Sequence, residues 1–219
     1  MIIVLLYGSM TIRSPIRSVA LSFSSHSHGR PGTVAYGLRK HADSRLATSF
    51  QPASGEVLWE HAWPGAQIVQ PALCADGDLM ISAGDAKGIR RISVVENSGE
   101  WSISERWTSM RLRPNFNDFV VHKGHAYGYE GFSLACLDLS DGTRKWKGGR
   151  YGGQILLLAD QDLLLVLTEK GELALVEALP SGLNKLSSIQ AVRGKTWNHP
   201  VLVKDVLLVR NTEEMAAYR

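Results

Sequence analysis

Cysteine is scarce in this chain of 219 residues, which contains only Cys74 and Cys136. The two residues form no CxxC pair, and each lies in an apolar strand-like pattern. This placement predicts two buried free thiols. It gives no indication of the redox compartment.

Long apolar runs are also missing. The run from Ile2 to Leu6 is far shorter than the roughly 18 residues that a membrane helix needs. Arg13 and Arg17 follow this run, whereas a secretory signal carries its basic residues before the apolar core. We therefore predict neither a membrane span nor a signal peptide in this sequence.

The net charge of +3 is too small to indicate binding to nucleic acid. It is also uneven, since residues 1–50 hold six basic residues and one acidic residue and the remainder holds 18 basic and 20 acidic. His26 and His28 lie in a Ser-rich stretch, which favours a flexible loop over a metal site. We expect residues 1–50 to be poorly ordered or non-native, from a misassigned start or a frame error upstream of about Gln51.

Catalytic motifs are absent as well: the sequence contains no GxSxG, no HExxH and no phosphate loop. His122 and His125 are separated by a predicted turn, so we interpret them as surface hairpin residues and not as zinc ligands. Asp160 and Asp162 flank Gln161 in a turn and lack the other ligands of a calcium loop. We therefore predict no catalytic residue, no metal site and no cofactor.

What the sequence does contain is a repeat of about 40 residues built from short strands. The segment 118–147 is followed by a similar one at 154–186, with Gly131 corresponding to Gly171 and Gly142 to Gly182. This period is typical of the blades of a β-propeller. The prediction is an all-β propeller, a partial ring of about four blades, with an outer strand at 53–63, blades at 69–108, 118–148 and 154–190, and a partial blade at 199–219.

Two alternatives concern how these strands assemble. A β-sandwich has similarly spaced strands, but it gives no reason for a 40-residue repeat with matched glycines. The strand at 53–63 is interpreted as the last strand of a blade whose earlier strands are absent. A further alternative is a closed ring of four blades, in which Glu56 to His61 pairs with the last three strands.

The run from Ala135 to Trp146, ACLDLSDGTRKW, resembles the A-x-D-x-x-T-G-x-x-x-W pattern of pyrroloquinoline-quinone-type (PQQ-like) propeller repeats, with one extra residue before Asp138. Ser54 to Trp59 resembles the end of the same pattern, and Leu173 to Gly182 is a degenerate copy. The resemblance covers about three quarters of the chain. It implies that Trp59, Trp107 and Trp146 pack between blades, with Leu186 in the place of Trp146 one repeat later.

The family includes quinone-dependent dehydrogenases, outer-membrane assembly scaffolds and proteins of unknown role. This sequence has no vicinal Cys-Cys pair and no Glu, Asn and Asp set that matches the calcium ligands of the enzymes. The resemblance therefore implies a non-enzymatic binding or scaffold module, truncated at its N-terminus, from a bacterial parent that works outside the cytoplasm. The alternative is a fragment of a quinone-dependent dehydrogenase, and a gene fragment without independent function is a further one.

A binding site is predicted at the mouth of the central channel, where polar side chains precede each innermost strand. The candidate residues are Gln70, Arg113, Asn117, Asp118, Tyr151, Gln154, Trp197, Asn198 and His199. The ligand is predicted to be a small molecule or a peptide. The alternative is that these residues only cap strands and loops. Self-association through exposed blade faces is also expected.

Overall fold

The computed structural model describes residues 19–21, 35–40, 45–51, 54–63, 69–84 and 87–219. These residues form two compact units, one within Ser14–Phe116 and one comprising Asn117–Arg219. Each unit is built of small antiparallel sheets, so the all-β prediction is confirmed. No helix in the described ranges has the length and apolar character needed to cross a membrane.

The unit within Ser14–Phe116 contains two four-stranded sheets. Sheet I consists of β1 (Val19–Leu21), β2 (Ala35–Lys40), β3 (Arg45–Phe50) and β4 (Val57–Ala62). Sheet II consists of β5 (Ala72–Leu73), β6 (Leu79–Ser82), β7 (Ile89–Asn97) and β8 (Glu100–Ser109).

The unit Asn117–Arg219 contains three further sheets. Sheet III consists of β9 (Phe119–His122), β10 (His125–Glu130), β11 (Ser133–Asp138) and β12 (Arg144–Gly148). Sheet IV consists of β13 (Gly153–Leu158), β14 (Leu163–Thr168), β15 (Glu172–Glu177) and β16 (Lys185–Gln190), with a 3-10 turn at Ala159–Gln161. Sheet V has three strands, β17 (Val201–Val203), β18 (Val206–Arg210) and β19 (Met215–Tyr218).

Sheet I departs from the sequence interpretation. The strand β4, interpreted from the sequence as the remnant of a blade without its earlier strands, pairs with β3, and β1 and β2 complete the sheet. The pairing of Glu56 to His61 with the last three strands is therefore wrong. The inner strands were missed because their short apolar stretches lie in a segment whose charge differs from that of the repeats. His26, His28 and residues 1–18 lie outside the described residues.

All four four-stranded sheets share a bulge between the third and fourth strands. In each sheet one residue of the fourth strand has no partner in the third strand, and the residue that follows it along the fourth strand pairs normally. The paired residues are Trp59, Trp107, Trp146 and Ser187. The residue equivalent to Trp146 in sheet IV is therefore Ser187, and the assignment of Leu186 to that place is wrong by one position. Because the bulge is common to both sheets, the offset arises in the turn: β12 begins two residues after Gly142, whereas β16 begins three residues after Gly182.

Sheets III and IV pack through an apolar core to which Trp146 contributes. Its ring lies 6.1 Å from that of Tyr127, centroid to centroid, and its indole N–H donates to the Leu179 carbonyl of the next repeat at 2.8 Å. Ile155 and Val166 of sheet IV bury against the same core. In the other unit, Trp59 is buried between sheets I and II, and Trp107 is half-buried at the matching place in β8.

Sheet V is apolar on both of its faces. Leu207 and Val209 pack on sheet IV, whereas Val201, Val203 and Met215 on the opposite face are exposed. Apolar side chains exposed together in this way mark a surface suited to association. Self-association of the chain through exposed blade faces stays a prediction.

Replacing Trp146 by Ala is expected to destabilise the unit Asn117–Arg219 by about 2–4 kcal/mol, because a half-buried aromatic ring and its hydrogen bond to the next repeat are lost. Urea unfolding followed by circular dichroism measures the change. Leu186→Ala is the matched control, since Leu186 is 49% exposed, and it should shift stability by no more than about 0.5 kcal/mol. Equal losses in both variants would contradict the packing role of Trp146.

Candidate functional site

The predicted channel-mouth residues of the unit Asn117–Arg219 meet at one end of its sheets. We call this end the site face and define it as the end of sheets III, IV and V at which β9, β13 and β17 begin. Antiparallel pairing returns the β10–β11 turn and the β12–β13 connection to the same end. The first strands β9 and β13 lie next to each other there.

Three polar contacts join the starts of these strands into a closed cycle. The Asn117 side-chain amide donates to the Gly153 carbonyl at 2.7 Å, which links sheet III to sheet IV. The Gln154 amide donates to the Trp197 carbonyl at 3.1 Å, which links sheet IV to the segment before β17. His199 Nε2 lies 3.4 Å from Asp118 Oδ2 and closes the cycle back to sheet III. Polar side chains that cap their strands thus also bind neighbouring sheets together.

Asp118 holds an unusual backbone conformation within this cycle. Its φ of 52° lies in the left-handed region, which costs a residue other than glycine about 1–3 kcal/mol. Aspartate tolerates this region better than most residues. The side chain is only 17% exposed and the His199 ring is 43% exposed, so the pair lies at the boundary between protein and solvent. Strained residues of this kind concentrate at functional sites.

The connection between β12 and β13 contains glycines that pack closely against neighbouring residues. A Cβ at Gly153 would collide with the carbonyl oxygen of Leu167 in the paired strand β14. A Cβ at Gly152 would lie 2.7 Å from the Phe132 ring, and the φ of Gly152 is +38°. The backbone of this connection therefore packs directly on its neighbours, and it holds the half-buried Tyr151 at the site face.

Exposed aromatic rings flank the cycle, each beneath a cation. Trp197 is 63% exposed, and Lys195 Nζ lies 4.3 Å from its ring centroid. Phe132 is 62% exposed, and the Arg150 guanidinium lies 5.8 Å from its ring centroid. The sequence predicted Trp197 but not Phe132, which occupies a turn whose neighbours give no signal of binding.

The loop that carries Trp197 is fixed by hydrogen bonds. Buried Thr196 donates its backbone N–H to the Glu169 carbonyl at 2.9 Å and its hydroxyl to the Arg210 carbonyl at 2.6 Å. An open cleft of about 440 Å³ beside this loop is lined by Glu169, Lys170, Gly194 and Lys195. Trp197 is thus an exposed ring on a fixed backbone, next to a cleft.

The remaining predicted site residues are placed differently. Asn198 lies beside His199, just before β17. Gln70, just before β5, and Arg113 are both half-buried, and they belong to the unit within Ser14–Phe116. Seven of the nine predicted residues therefore share the site face.

The opposite end of sheets III and IV holds the histidine and aspartate residues that the sequence indicates as turn residues. His122 Nε2 lies 2.6 Å from the Asp162 carboxylate, and Lys123 Nζ lies at the same distance from it. The hydrogen bonds from Lys123 and His122 hold the pKa of Asp162 below its usual range. Across the described ranges, no three His, Cys, Asp or Glu side chains converge as metal ligands would.

Both cysteines are free and buried, as predicted. Burial raises the pKa of the Cys74 thiol to about 11 and that of the Cys136 thiol to about 12. Thiols with such pKa values stay protonated near neutral pH and are poor nucleophiles. They therefore contribute to packing and not to the site.

Comparison with solved structures places this geometry in a known fold. A functionally unknown protein from Desulfotomaculum acetoxidans matches with a TM-score of 0.63 at 16% identity, over 84% of this chain and 64% of that one. BamB from Moraxella catarrhalis matches with a TM-score of 0.50 at 12% identity, over 93% and 62%. AztD from Citrobacter koseri matches with a TM-score of 0.57 at 13% identity, over 94% and 56%.

BamB and AztD are β-propeller proteins, so the predicted fold class, an all-β propeller, is confirmed. At these identities the likeness shows the fold alone. This chain spans between 56% and 64% of the length of the three solved chains. No family model and no curated protein matches the sequence. The narrower assignment to PQQ-like repeats stays a prediction.

Replacing Gly153 by Ala is expected to destabilise the unit Asn117–Arg219 by about 1–3 kcal/mol, because the added methyl group meets the backbone of β14. Gly182→Ala is the matched control, since nothing lies within 4 Å of a Cβ there and its φ is not positive. Urea unfolding of both variants checks the expectation. A loss for Gly182→Ala as large as that for Gly153→Ala would contradict it.

Proposed function

We propose that this chain is a non-enzymatic β-propeller binding or scaffold module of the PQQ-like repeat type, with a small molecule or a peptide segment bound at the site face. The observation that carries the proposal is the closed cycle of polar contacts between sheets III, IV and V with Trp197 exposed beside it. As the family resemblance implies, the protein is proposed to be bacterial and to act outside the cytoplasm.

Preorganisation supports a binding role for this face. The loop of Trp197 is fixed through Thr196, and the backbone that presents Asn117 and Asp118 is tied to the neighbouring sheets. A ligand that binds there orders few protein groups, so little of the interaction free energy is lost to conformational entropy. Exposed tryptophans on rigid backbones are typical of the residues that dominate binding interfaces.

The chemistry of the face supports recognition more than catalysis. The amides of Asn117 and Gln154 donate to backbone carbonyls of neighbouring sheets or segments, and the carboxylate of Asp118 contacts the ring of His199. The sequence also carries no motif of an activated nucleophile and no residue set that matches the calcium ligands of the quinone enzymes. A group whose hydrogen bonds fix a strand can still contact a ligand through its remaining lone pairs.

The binding role is tested by selecting ligands on the immobilised chain from a random peptide library and from a small-molecule fragment library. Binders are expected to lose about 30-fold in affinity for Trp197→Ala, because truncating a central aromatic anchor costs about 2 kcal/mol. The double variant Asp118→Ala/His199→Ala should weaken the same binders. Isothermal titration calorimetry measures both changes.

The matched control for the double variant is Asp205→Ala/His125→Ala. It also removes one aspartate and one histidine, but at the opposite ends of the strands, in the β17–β18 turn and at the start of β10. This control should leave binding unchanged. A selection that gives no binder, or binders that ignore the variants at the site face, would count against the proposal.

The non-enzymatic part of the proposal has its own test against the dehydrogenase alternative. Pyrroloquinoline quinone and Ca²⁺ are added to the chain together with an alcohol or a sugar and a redox dye. We expect no shift of the quinone absorption spectrum and no dye reduction above a sample without protein. A spectral shift with substrate-dependent dye reduction would support a fragment of a quinone-dependent dehydrogenase.

A further inference from the structure

The core between sheets III and IV contains a tyrosine whose hydroxyl lacks a hydrogen-bond partner. Tyr129 on β10 is completely buried, and its hydroxyl makes no hydrogen bond with any part of the described chain. Burial raises the pKa of this phenol, with a smaller contribution from nearby Tyr151. A buried donor without an acceptor costs free energy, so such groups are rare in native proteins and call for an explanation.

A neighbouring tyrosine provides an internal comparison for Tyr129. Tyr127 lies two residues earlier on β10, on the same face of the sheet, and is equally buried. Burial raises the pKa of its phenol, and the adjacent Cys136 thiol adds to the effect. The two tyrosines differ in position, because Tyr127 lies in mid-strand and Tyr129 lies next to the β10–β11 turn at the site face.

The surroundings of Tyr129 define the kind of group that its hydroxyl can bind. Leu134, Ile155 and Val166 share its core and carry no polar side-chain atoms. An anion inserted there would lose its hydration in a low dielectric, whereas a carbonyl oxygen carries only a partial charge.

The connection between β12 and β13 holds a tyrosine ring against the core that contains Tyr129. Tyr151 packs against this core and lies between the pairs Gly148-Gly149 and Gly152-Gly153. Gly149 has a φ of +62°, and a Cβ there would collide with the Tyr151 ring. The ring therefore lies directly on the backbone of Gly149, next to the hydrogen bond that the Gly152 N–H donates to the Phe132 carbonyl at 3.1 Å.

We propose that a neutral carbonyl-bearing ligand, such as an amide or a ketone, inserts at the site face between sheets III and IV beneath Tyr151 and accepts a hydrogen bond from the Tyr129 hydroxyl. The Tyr151 ring covers the inserted group. This subsite involves none of Asp118, His199 and Trp197. Variants of those residues therefore test the binding role proposed above, and variants of Tyr129 test the subsite independently.

The experiment uses the full chain with ¹³C-labelled tyrosine rings, titrated with N-methylacetamide as the neutral probe. The Tyr129 resonance is assigned by its loss in Tyr129→Phe. We expect a saturable shift of the Tyr129 resonance at millimolar probe, with the Tyr127 resonance unchanged. Sodium acetate at the same concentration and ionic strength should leave Tyr129 unshifted, because its charge excludes it.

Thermal denaturation gives a second readout that separates a ligand subsite from a buried water. Tyr129→Phe should melt at the same or a higher temperature than the parent and should lose the stabilisation that N-methylacetamide gives to the parent. Tyr127→Phe is the matched control, since it removes a hydroxyl from the same face of β10, and it should keep the response to the probe. A lower melting temperature for Tyr129→Phe together with no response of the parent to the probe would overturn the proposal.

Discussion

Sheet IV is apolar on both faces, and that constraint governs the architecture of the unit Asn117–Arg219. In sheet IV, Ile155 and Val166 face sheet III, whereas Leu165 and Leu167 face sheet V. A sheet of four strands cannot bury two apolar faces alone, so it is stable only between two others. The indole of Trp146 reinforces this stacking, because it adds a hydrogen bond from one sheet to the next within an otherwise apolar contact.

Because the faces of the sheets pack against each other, the polar and charged side chains that contact one another lie at the ends of the strands. At one end Asp118 and His199 approach each other across sheets, and at the other His122 and Lys123 contact Asp162. The two ends differ in what they leave accessible. The first presents exposed aromatic rings on fixed backbone, whereas at the second the polar side chains satisfy one another, which is why we place binding at the first.

The repeat pattern made most of the strands predictable, because hairpin turns such as Lys123-Gly124 adopt left-handed conformations that their sequence indicates. The inner strands of sheet I were not predicted, because they lie in a segment that does not share the charge balance or the repeat pattern of the later sheets. The shift from Leu186 to Ser187 was missed because the turn before β16 has one more residue after its glycine than the turn before β12, and the equal spacing of the glycines does not reveal it. At the candidate site, Asp118 and Trp197 could be found from their position before a strand. Phe132 and the unsatisfied hydroxyl of Tyr129 could not, because exposure and hydrogen bonding depend on residues distant in sequence.

The cycle at the site face has a consequence for how the chain folds. Its contacts join residues 36 and 43 positions apart, and the His199–Asp118 contact spans a longer stretch still. Hairpins close over a few residues, so they form early, while contacts of high sequence separation must wait for the loop entropy to be overcome. During synthesis the cycle at the site face therefore cannot close before the start of β17 has left the ribosome. The surface proposed for binding is complete only from that point.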